Sequence, residues 1–131
     1  MSNDGHIKVV DFGLAKFRDF DRDVVLTAGT VGTVAYMSPE QALGQKVDSR
    51  TDLWSLGVVF YEVLTGATPF DGPTPASAFD AILNRKPAAP VDGVGDLQVK
   101  TNSILDRALE KDPELRYQTA ADLRADLLRL R

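Results

Sequence analysis

The apolar run over residues 53–64 constrains the fold of this chain more than any other segment. Asp48 or Ser49 can cap a helix that contains this run, and Gly66 can end it. Such a helix has almost no polar face, so we expect it to be buried on every side and to need neighbours in every direction. The run contains Glu62 and is too short to cross about 30 Å of hydrocarbon, which favours a core helix over a membrane span.

Local signals predict two further helices in the middle of the chain. Residues 39–43 can form a short helix. Thr74 can cap a longer one, with Pro75 at its first position, where proline lacks only an N–H that would be unpaired anyway. We expect this helix to continue to about residue 85, because the Pro, Gly, Ala and Val of residues 86–95 indicate a linker.

Two amphipathic patterns follow in the C-terminal part. An apolar stripe between residues 97 and 110 predicts one helix, which Asp112-Pro113 breaks. Thr119 and Asp122 resemble a capping box at the start of a last helix. The inward face of that helix is predicted to hold Leu123, Leu127 and Leu130. We therefore expect a mainly α chain with about five helices and one short N-terminal β-strand.

The first part of the chain predicts that strand and a long loop. Asn3-Asp4-Gly5 is a tight-turn signal that joins antiparallel strands, and residues 7–10 are a plausible second strand. The first arm of such a hairpin would precede residue 3, which suggests a segment of something longer. Residues 14–38 show no clear periodicity, and loops of this length are usually functional or disordered.

Composition argues against several kinds of site and partner. The net charge of −4 argues against a nucleic acid or an anionic membrane as partner, since both require clustered Lys and Arg. The absence of cysteine excludes disulfides and thiolate chemistry and suits a cytoplasmic location. His6 is the only histidine, so we expect neither a His-based zinc site nor a Ser-His triad.

An ordered run of short motifs carries the information on function. They are, in order, Asp11-Phe12-Gly13, Gly32-Thr33, Ser38-Pro39-Glu40, Asp52-Leu53-Trp54-Ser55-Leu56-Gly57, and Asp112-Pro113 with Arg116-Tyr117. In this order and at these spacings they resemble the second half of a eukaryotic-like Ser/Thr protein kinase domain of the bacterial type. Asp-Phe-Gly alone could arise as a surface turn, but not readily between Ile-Lys-Val-Val and Leu-Ala-Lys.

The resemblance covers the whole chain and implies a domain organisation. It implies the partial C-terminal lobe of a protein-kinase-like fold, truncated at its start, over residues 1–131. Residues 1–13 would form a strand and the Asp-Phe-Gly motif, residues 14–40 the activation segment, and residues 41–131 a helical subdomain.

The resemblance also assigns the nucleotide-binding residues. Asp11 matches the aspartate that binds Mg²⁺ across the phosphates of ATP. Phe12 matches the hydrophobic switch residue of the motif, and Gly13 the flexible point after it. Mg²⁺ and ATP are therefore the cofactors implied for the full-length parent.

Three threonines of the activation segment receive roles from the same comparison. Thr33 matches the threonine that contacts the catalytic loop in Ser/Thr kinases and favours a Ser or Thr hydroxyl as acceptor over tyrosine. Thr27 and Thr30 are candidate phosphorylation sites, where a phosphate would add nearly two negative charges and seek an arginine. The alternative is that both hydroxyls stay unmodified.

Three further residues have architectural roles in the family. Glu40 matches a glutamate that pairs with Arg116, so we expect a buried ion pair that pins the activation segment to the late helices. Asp52 matches an aspartate that hydrogen-bonds catalytic-loop backbone from inside the buried helix.

Several catalytic parts have no match within residues 1–131. There is no His-Arg-Asp-like triplet, no phosphate-orienting lysine, and no Gly-x-Gly-x-x-Gly loop, since residues 29–32 have the wrong spacing. The parent is thus expected to phosphorylate protein Ser and Thr, whereas this chain alone is expected to be inactive. We expect it to bind Mg·ATP no more tightly than about 1 mM.

Two other interpretations remain open at this point. The chain could be a free-standing, pseudokinase-like module that docks proteins around residues 75–85, or an incomplete reading frame with no role of its own. In either case the helix over residues 49–65 would lack part of its cover and expose Trp, Phe, Val and Leu side chains. We therefore expect a homodimer, a strand or segment exchange, or a repositioning of residues 14–38 across the helix to hide this surface.

Overall fold

Within the residues that the structure describes, five α-helices make up the fold. The computed structural model describes residues 34–93 and 95–131, and within these ranges it contains no β-strand. The helices are α1 (Pro39–Ala42), α2 (Ser49–Thr65), α3 (Pro75–Asn84), α4 (Asp96–Ala108) and α5 (Ala120–Leu128). The predicted mainly α fold is confirmed for this part of the chain. The strand predicted at residues 7–10 lies outside the described residues.

The ends of α2 follow from the residues that flank it. The Asp48 side chain accepts a hydrogen bond from the backbone N–H of Arg50, which satisfies one of the unpaired donors of the first turn. Gly66 ends the helix in the left-handed region, at φ 78°, where a side chain would be strained. Its N–H donates to the carbonyl of Glu62 over 2.7 Å.

Capping also sets the start of α3 and α5, in two different ways. At α3, Thr74 and Ser77 form a reciprocal capping box, and Pro75 occupies the first position as predicted. At α5, Thr119 accepts from the backbone N–H of Asp122. The Asp122 carboxylate, however, accepts from the Thr119 hydroxyl over 2.7 Å, so the predicted capping box is only half formed. Aspartate is shorter than the glutamate that usually reaches back in this motif.

In the described part of the chain, the buried side chains form two clusters, and α2 contributes to both. The first surrounds Trp54 and Phe70, whose rings stack with centroids 5.2 Å apart. The second consists of Leu53, Ile104, Ala108, Tyr117 and Leu123. Phe60 packs against both clusters. The inward face predicted for α5 is confirmed, since Leu123 is buried and Leu127 and Leu130 pack against the second cluster.

A glycine allows α2 and α4 to approach closely. A Cβ atom added to Gly57 would lie 2.9 Å from the Cβ of Ala108 and 3.1 Å from a methyl carbon of Leu109. These separations are too short for carbon atoms in van der Waals contact. The position therefore needs glycine although it lies in the interior of a helix.

The prediction that α2 is buried on every side is wrong for one face. Leu56, Val59 and Val63 lie on one side of the helix and are 47%, 43% and 76% exposed; we call these three residues the α2 stripe. Trp54, which was expected on an uncovered face, is 0% exposed. Apolar composition indicates that burial of a helix is favourable. Which of its sides are buried depends on the elements that the tertiary fold packs against it. No helix within the described ranges is long and apolar enough to span a membrane.

Candidate functional site

The structure describes only some of the site residues predicted from the sequence. Those outside the described residues are Asp11, Phe12, Gly13, Thr27, Thr30 and Thr33. Their roles in nucleotide binding, phosphorylation and acceptor choice therefore remain predictions. Glu40, Asp52 and Arg116 are described, and the structure brings the first and the third together.

Glu40 and Arg116 form a buried, two-pronged ion pair. Arg116 Nη1 lies 2.8 Å from Glu40 Oε1, and Arg116 Nη2 lies 3.1 Å from Glu40 Oε2. The two side chains are only 5% (Glu40) and 0% (Arg116) exposed. A planar guanidinium facing a carboxylate in this way is the strongest arrangement of the two groups. The pair joins α1 to the segment between α4 and α5.

Further hydrogen bonds make this burial tolerable. The Thr51 hydroxyl donates to Glu40 Oε1 over 2.8 Å. Arg116 also donates to the backbone carbonyls of Arg50, at 2.9 Å, and Glu110, at 3.1 Å. Removing two charges from water is costly unless their remaining donors and acceptors are used. Thr51 was not predicted from the sequence, because nothing local connects it with Glu40.

The balance of these contacts is visible in the pKa of Glu40. Burial by itself raises the pKa, because it disfavours the carboxylate. Hydrogen bonds from Arg116, from the residue's own backbone and from Thr51, together with the positive charge of Arg116, act in the opposite direction. They outweigh burial and hold the pKa of Glu40 below its usual range. Glu40 is therefore ionised at neutral pH.

Arg50 links the first turn of α2 to the segment before α5, a role that was not predicted from the sequence. Its guanidinium lies 2.7 Å from Asp48 Oδ2 and 2.8 Å from Glu114 Oε1. It also donates to the side chain of Gln118 over 3.0 Å. Asp48 lies only two residues before Arg50, so the sequence alone suggests that the two side chains can pair. The Glu114 contact crosses 64 residues and has no local signal.

The segment just before α1 is hydrogen-bonded to side chains of α2. The Tyr36 hydroxyl donates to Glu62 Oε2 over 2.6 Å, and the Ser55 hydroxyl donates to the Tyr36 carbonyl over 3.2 Å. The hydrogen bond to Glu62, then burial, then the negative charge of Glu62 raise the pKa of Tyr36. Tyr36 belongs to the predicted activation segment, so that segment's last residues run along α2.

Lys111 places its ammonium group against the aromatic centre of the first core cluster. Its Nζ lies 3.7 Å from the centroid of the Phe70 ring and 5.0 Å from that of Trp54. It also donates to the carbonyl of Ala81, with 3.4 Å between the two atoms. Arg116 stacks over Trp54 as well, with its Cζ 5.1 Å from the centroid. Two cations therefore share one aromatic pair.

The surroundings of Lys111 weaken its hold on the proton. Burial, followed by the charge of Arg85, lowers the pKa of Lys111 to about 8. Glu110 acts in the opposite direction, and Arg116 adds a smaller lowering effect. The faces of the Phe70 and Trp54 rings favour the ammonium form of Lys111. Their effect therefore opposes that of burial, which favours the neutral amine.

Asp52 lies on the exposed side of the first turn of α2. The catalytic-loop backbone that the resemblance gives as its partner has no match within residues 1–131, so its architectural role stays a prediction. Over residues 34–93 and 95–131, no group of three His, Cys, Asp or Glu side chains could hold a metal ion. The Mg²⁺ predicted at Asp11 belongs to the part of the chain outside these ranges.

Both the sequence and the fold of this chain are similar to those of known proteins. Residues 1–127 match the family described as protein kinase domain. Serine/threonine-protein kinase PknB of Mycolicibacterium smegmatis is 42% identical over 131 residues, which cover 99% of this chain and 21% of that protein. The protein of the same name from Mycobacterium tuberculosis is 46% identical over 125 residues, which cover 95% of this chain and 20% of that protein.

The chain thus spans about a fifth of the length of these curated relatives. Among solved structures, the twitchin kinase region from C. elegans is similar, with a TM-score of 0.60 and 25% sequence identity. That similarity covers 76% of this chain and 17% of the other. It agrees with a partial C-terminal lobe.

Proposed function

Because the chain belongs to the protein kinase family, and to its bacterial Ser/Thr type, we propose that its parent transfers the γ-phosphoryl group of ATP to Ser and Thr of proteins. The observation that carries the proposal is the identity of 42% over 99% of this chain to a serine/threonine-protein kinase. The chain itself would be the portion of the C-terminal lobe from the Asp-Phe-Gly motif to the last helix.

The role proposed for the described residues is to hold the end of the activation segment. Phosphoryl transfer by kinases depends mainly on positioning and charge neutralisation, so a misplaced acceptor loop is costly. Glu40–Arg116 and Tyr36–Glu62 support this role, because they tie residues 36 and 40 to the helical body. Thr33, three residues before Tyr36, would then be held near the acceptor hydroxyl.

A nucleotide would be bound outside the described residues. Asp11 is the residue proposed to bind Mg²⁺, with Phe12 and Gly13 shaping the motif around it. ATP would supply the phosphoryl group, and Mg²⁺ would neutralise the negative charge of the phosphates. We propose that this chain is inactive on its own, because the carboxylate of Asp11 is not accompanied by a catalytic triplet or a phosphate-orienting lysine within residues 1–131.

A domain exchange tests the proposed function. Residues 1–131 would replace the matching segment of the kinase domain of PknB from M. tuberculosis, which is 46% identical over 125 residues. We expect the chimera to phosphorylate protein Ser and Thr. The control carries Asp11→Ala and should be inactive while retaining the same circular dichroism spectrum. A folded chimera without activity would contradict the proposal.

A transfer assay on the isolated chain tests the proposed inactivity. The purified chain would be incubated with radiolabelled ATP, Mg²⁺ and a Ser/Thr peptide, beside the Asp11→Ala variant. We expect no label above background in either sample. Label that is transferred by the unchanged chain and lost in Asp11→Ala would overturn this part of the proposal, since a contaminating kinase would label both samples.

The α2 stripe supports a further proposal, that this face is a contact surface for a second copy or an exchanged segment. Its three apolar side chains are exposed along one side of α2. Sedimentation velocity at micromolar concentration should show a dimer, and Val59→Asp with Val63→Asp should give a monomer. Leu115→Asp is the matched control, because Leu115 is 64% exposed and lies outside the stripe. A monomeric unchanged chain would contradict this proposal.

Modification and location complete the proposal. Thr27 and Thr30 are proposed as the phosphorylated residues of the activation segment, which mass spectrometry of the active chimera would show. We place the protein in the cytoplasm because ATP is available there. A nucleic-acid partner is not proposed, given the net charge of −4.

A further inference from the structure

Every N–H group of the Arg116 guanidinium has an acceptor. A guanidinium has five such groups, and two of them donate to the carboxylate of Glu40. The others donate to the backbone carbonyls of Arg50 at 2.9 Å, Glu110 at 3.1 Å and Lys111 at 3.4 Å. The last two carbonyls belong to consecutive residues after α4. The orientation of Arg116 toward α1 therefore depends on where the backbone of residues 110 and 111 lies.

The side chain of Lys111 holds this part of the backbone against the aromatic pair and α3. Its Nζ lies 3.7 Å from the centroid of the Phe70 ring and 5.0 Å from that of Trp54, and the two centroids are 5.2 Å apart. These distances place the ammonium group beside both rings rather than beyond one of them. Nζ also donates to the Ala81 carbonyl of α3 over 3.4 Å. Lys111 thus contacts the core with its side chain and Arg116 with its carbonyl.

The ammonium group of Lys111 acts on Glu40 only indirectly. Within the described ranges, no carboxylate forms an ion pair with Lys111, so the rings and the Ala81 carbonyl fix its position. The positive charge that lowers the pKa of Glu40 is that of Arg116. A change at Lys111 therefore reaches Glu40 through the position of Arg116.

We propose that Lys111 is a positioning residue, whose side chain fixes the carbonyls of residues 110 and 111 and thereby orients Arg116 toward Glu40. The consequence for phosphoryl transfer rests on the proposed function, in which Glu40 ends the activation segment. A loosely held Arg116 would let that segment shift, and a misplacement of about 1 Å can reduce a reaction rate by a large factor.

NMR of the Arg116 guanidinium tests the proposal in the 131-residue chain. A guanidinium whose donors are all bonded rotates slowly, so we expect separate signals for its Nη hydrogens. Lys111→Met keeps an unbranched apolar stem but removes the ammonium group. Losing the equivalent of about one hydrogen bond should make Arg116 rotate roughly tenfold faster, and its signals should merge. The measured pKa of Glu40 should rise toward its usual range.

Three variants serve as controls. Lys111→Arg keeps a cation on the rings and should retain the separate signals of Arg116. Lys100→Met removes an exposed ammonium group and should also retain them. Leu123→Ala controls for a general loss of stability, because Leu123 is buried in the second cluster. It should lower the free energy of unfolding and leave the rotation of Arg116 slow.

Two results would overturn the proposal. One is slow rotation of Arg116 in Lys111→Met, and the other is equally fast rotation in Leu123→Ala. If Lys111→Met does not fold, Lys111→Gln takes its place, since it also lacks the charge that the rings favour. Arg116 should rotate faster in Lys111→Gln as well, and unchanged rotation there would equally contradict the proposal.

The chimera with the PknB kinase domain tests the consequence for the reaction. In this background Lys111→Met should raise KM for the protein substrate about threefold or more and leave KM for ATP unchanged. Lys111→Arg should restore the lower value. Equal KM values for the protein substrate in all three proteins would contradict this consequence. A folded but inactive chimera would contradict the proposed function, whereas NMR of the 131-residue chain would still decide whether Lys111 positions Arg116.

Discussion

At the scale of single residues, the Glu40–Arg116 pair shows how a buried charge is tolerated. Both groups lose nearly all contact with water, and either alone would be strongly unfavourable there. The structure compensates with two short bonds between them and with bonds to Thr51 and to the carbonyl of Arg50. The pair is therefore a point at which a single substitution has a large effect.

Replacing Arg116 by alanine should destabilise the protein by about 3–5 kcal/mol, because it leaves Glu40 buried without a partner. Urea unfolding followed by the fluorescence of Trp54, the only tryptophan, measures this change. Glu114→Gln is the matched control, since it also removes an ion pair with an arginine but at a side chain that is 76% exposed. A loss for Arg116→Ala as small as that of the control would contradict the role assigned to the pair.

The same pair makes stability depend on pH in the acidic range. Because the pKa of Glu40 is lower in the folded protein than in the unfolded chain, the carboxylate stabilises the fold above its unfolded pKa, about 4.3. This contribution is lost as pH falls through the folded pKa. We expect Glu40→Gln to be less stable than the unchanged protein at pH 7, with a difference that shrinks below about pH 4. A difference independent of pH between 7 and 3 would show that ionisation of Glu40 does not stabilise the fold.

Whether the partner of a side chain can be predicted from the sequence depends on how many residues separate the two along the chain. The pairing of Glu40 with Arg116 could be predicted only from the resemblance to a family, because 76 residues separate the two. Arg50 and Lys111 were missed for the same reason: Glu114 and Phe70, their decisive partners, are distant in sequence. Charge or polarity alone does not indicate which distant group a side chain meets.

At the scale of helices, local chemistry was a good guide to where elements begin and end. The bounds of α2 and α3 agree with prediction to within a residue or so, because Asp48, Gly66, Thr74 and Pro75 act on their immediate neighbours. The exposure of Val and Leu side chains in the α2 stripe was expected only from the resemblance, which implies that part of the cover of this helix lies outside residues 1–131, and the resemblance wrongly included Trp54. This exposure depends on which elements surround the helix, and the composition of the helix contains no such information.

Gly57 permits a prediction on how α2 and α4 pack. Alanine is the better helix former by about 1 kcal/mol, so Gly57→Ala would stabilise an isolated helix. Here the added methyl group would meet Ala108 at 2.9 Å, and forcing such a contact typically costs about 1–3 kcal/mol. We expect the clash to outweigh propensity, so that Gly57→Ala lowers the free energy of unfolding measured in urea.

A double-mutant cycle separates the clash from other effects of Gly57→Ala. Ala108→Gly removes the methyl group that the new side chain would meet. Gly57→Ala should therefore be less destabilising in the Ala108→Gly background than in the unchanged protein. Equal effects in both backgrounds would mean that the helices do not approach each other as closely as the structure shows.

At the scale of the whole molecule, the arrangement of the core bears on whether the protein unfolds in one step. The two clusters share α2 and meet at Phe60. Neighbouring residues of α4, Ile104 and Leu105, belong to different clusters, so this helix also joins them. Loss of one cluster would remove part of the support for the other, which favours a single cooperative unit.

We therefore predict that variants in either cluster lower the same unfolding transition. Leu105→Ala affects the first cluster and Ile104→Ala the second, and each should cost about 2–5 kcal/mol because both side chains are buried. Trp54 fluorescence reports on the first cluster only, whereas circular dichroism reports on all helices. For both variants the two probes should give coincident urea transitions. If Ile104→Ala shifted the dichroism transition and left the fluorescence transition in place, the clusters would be independent, and α2 would be a bridge between two separately stable parts.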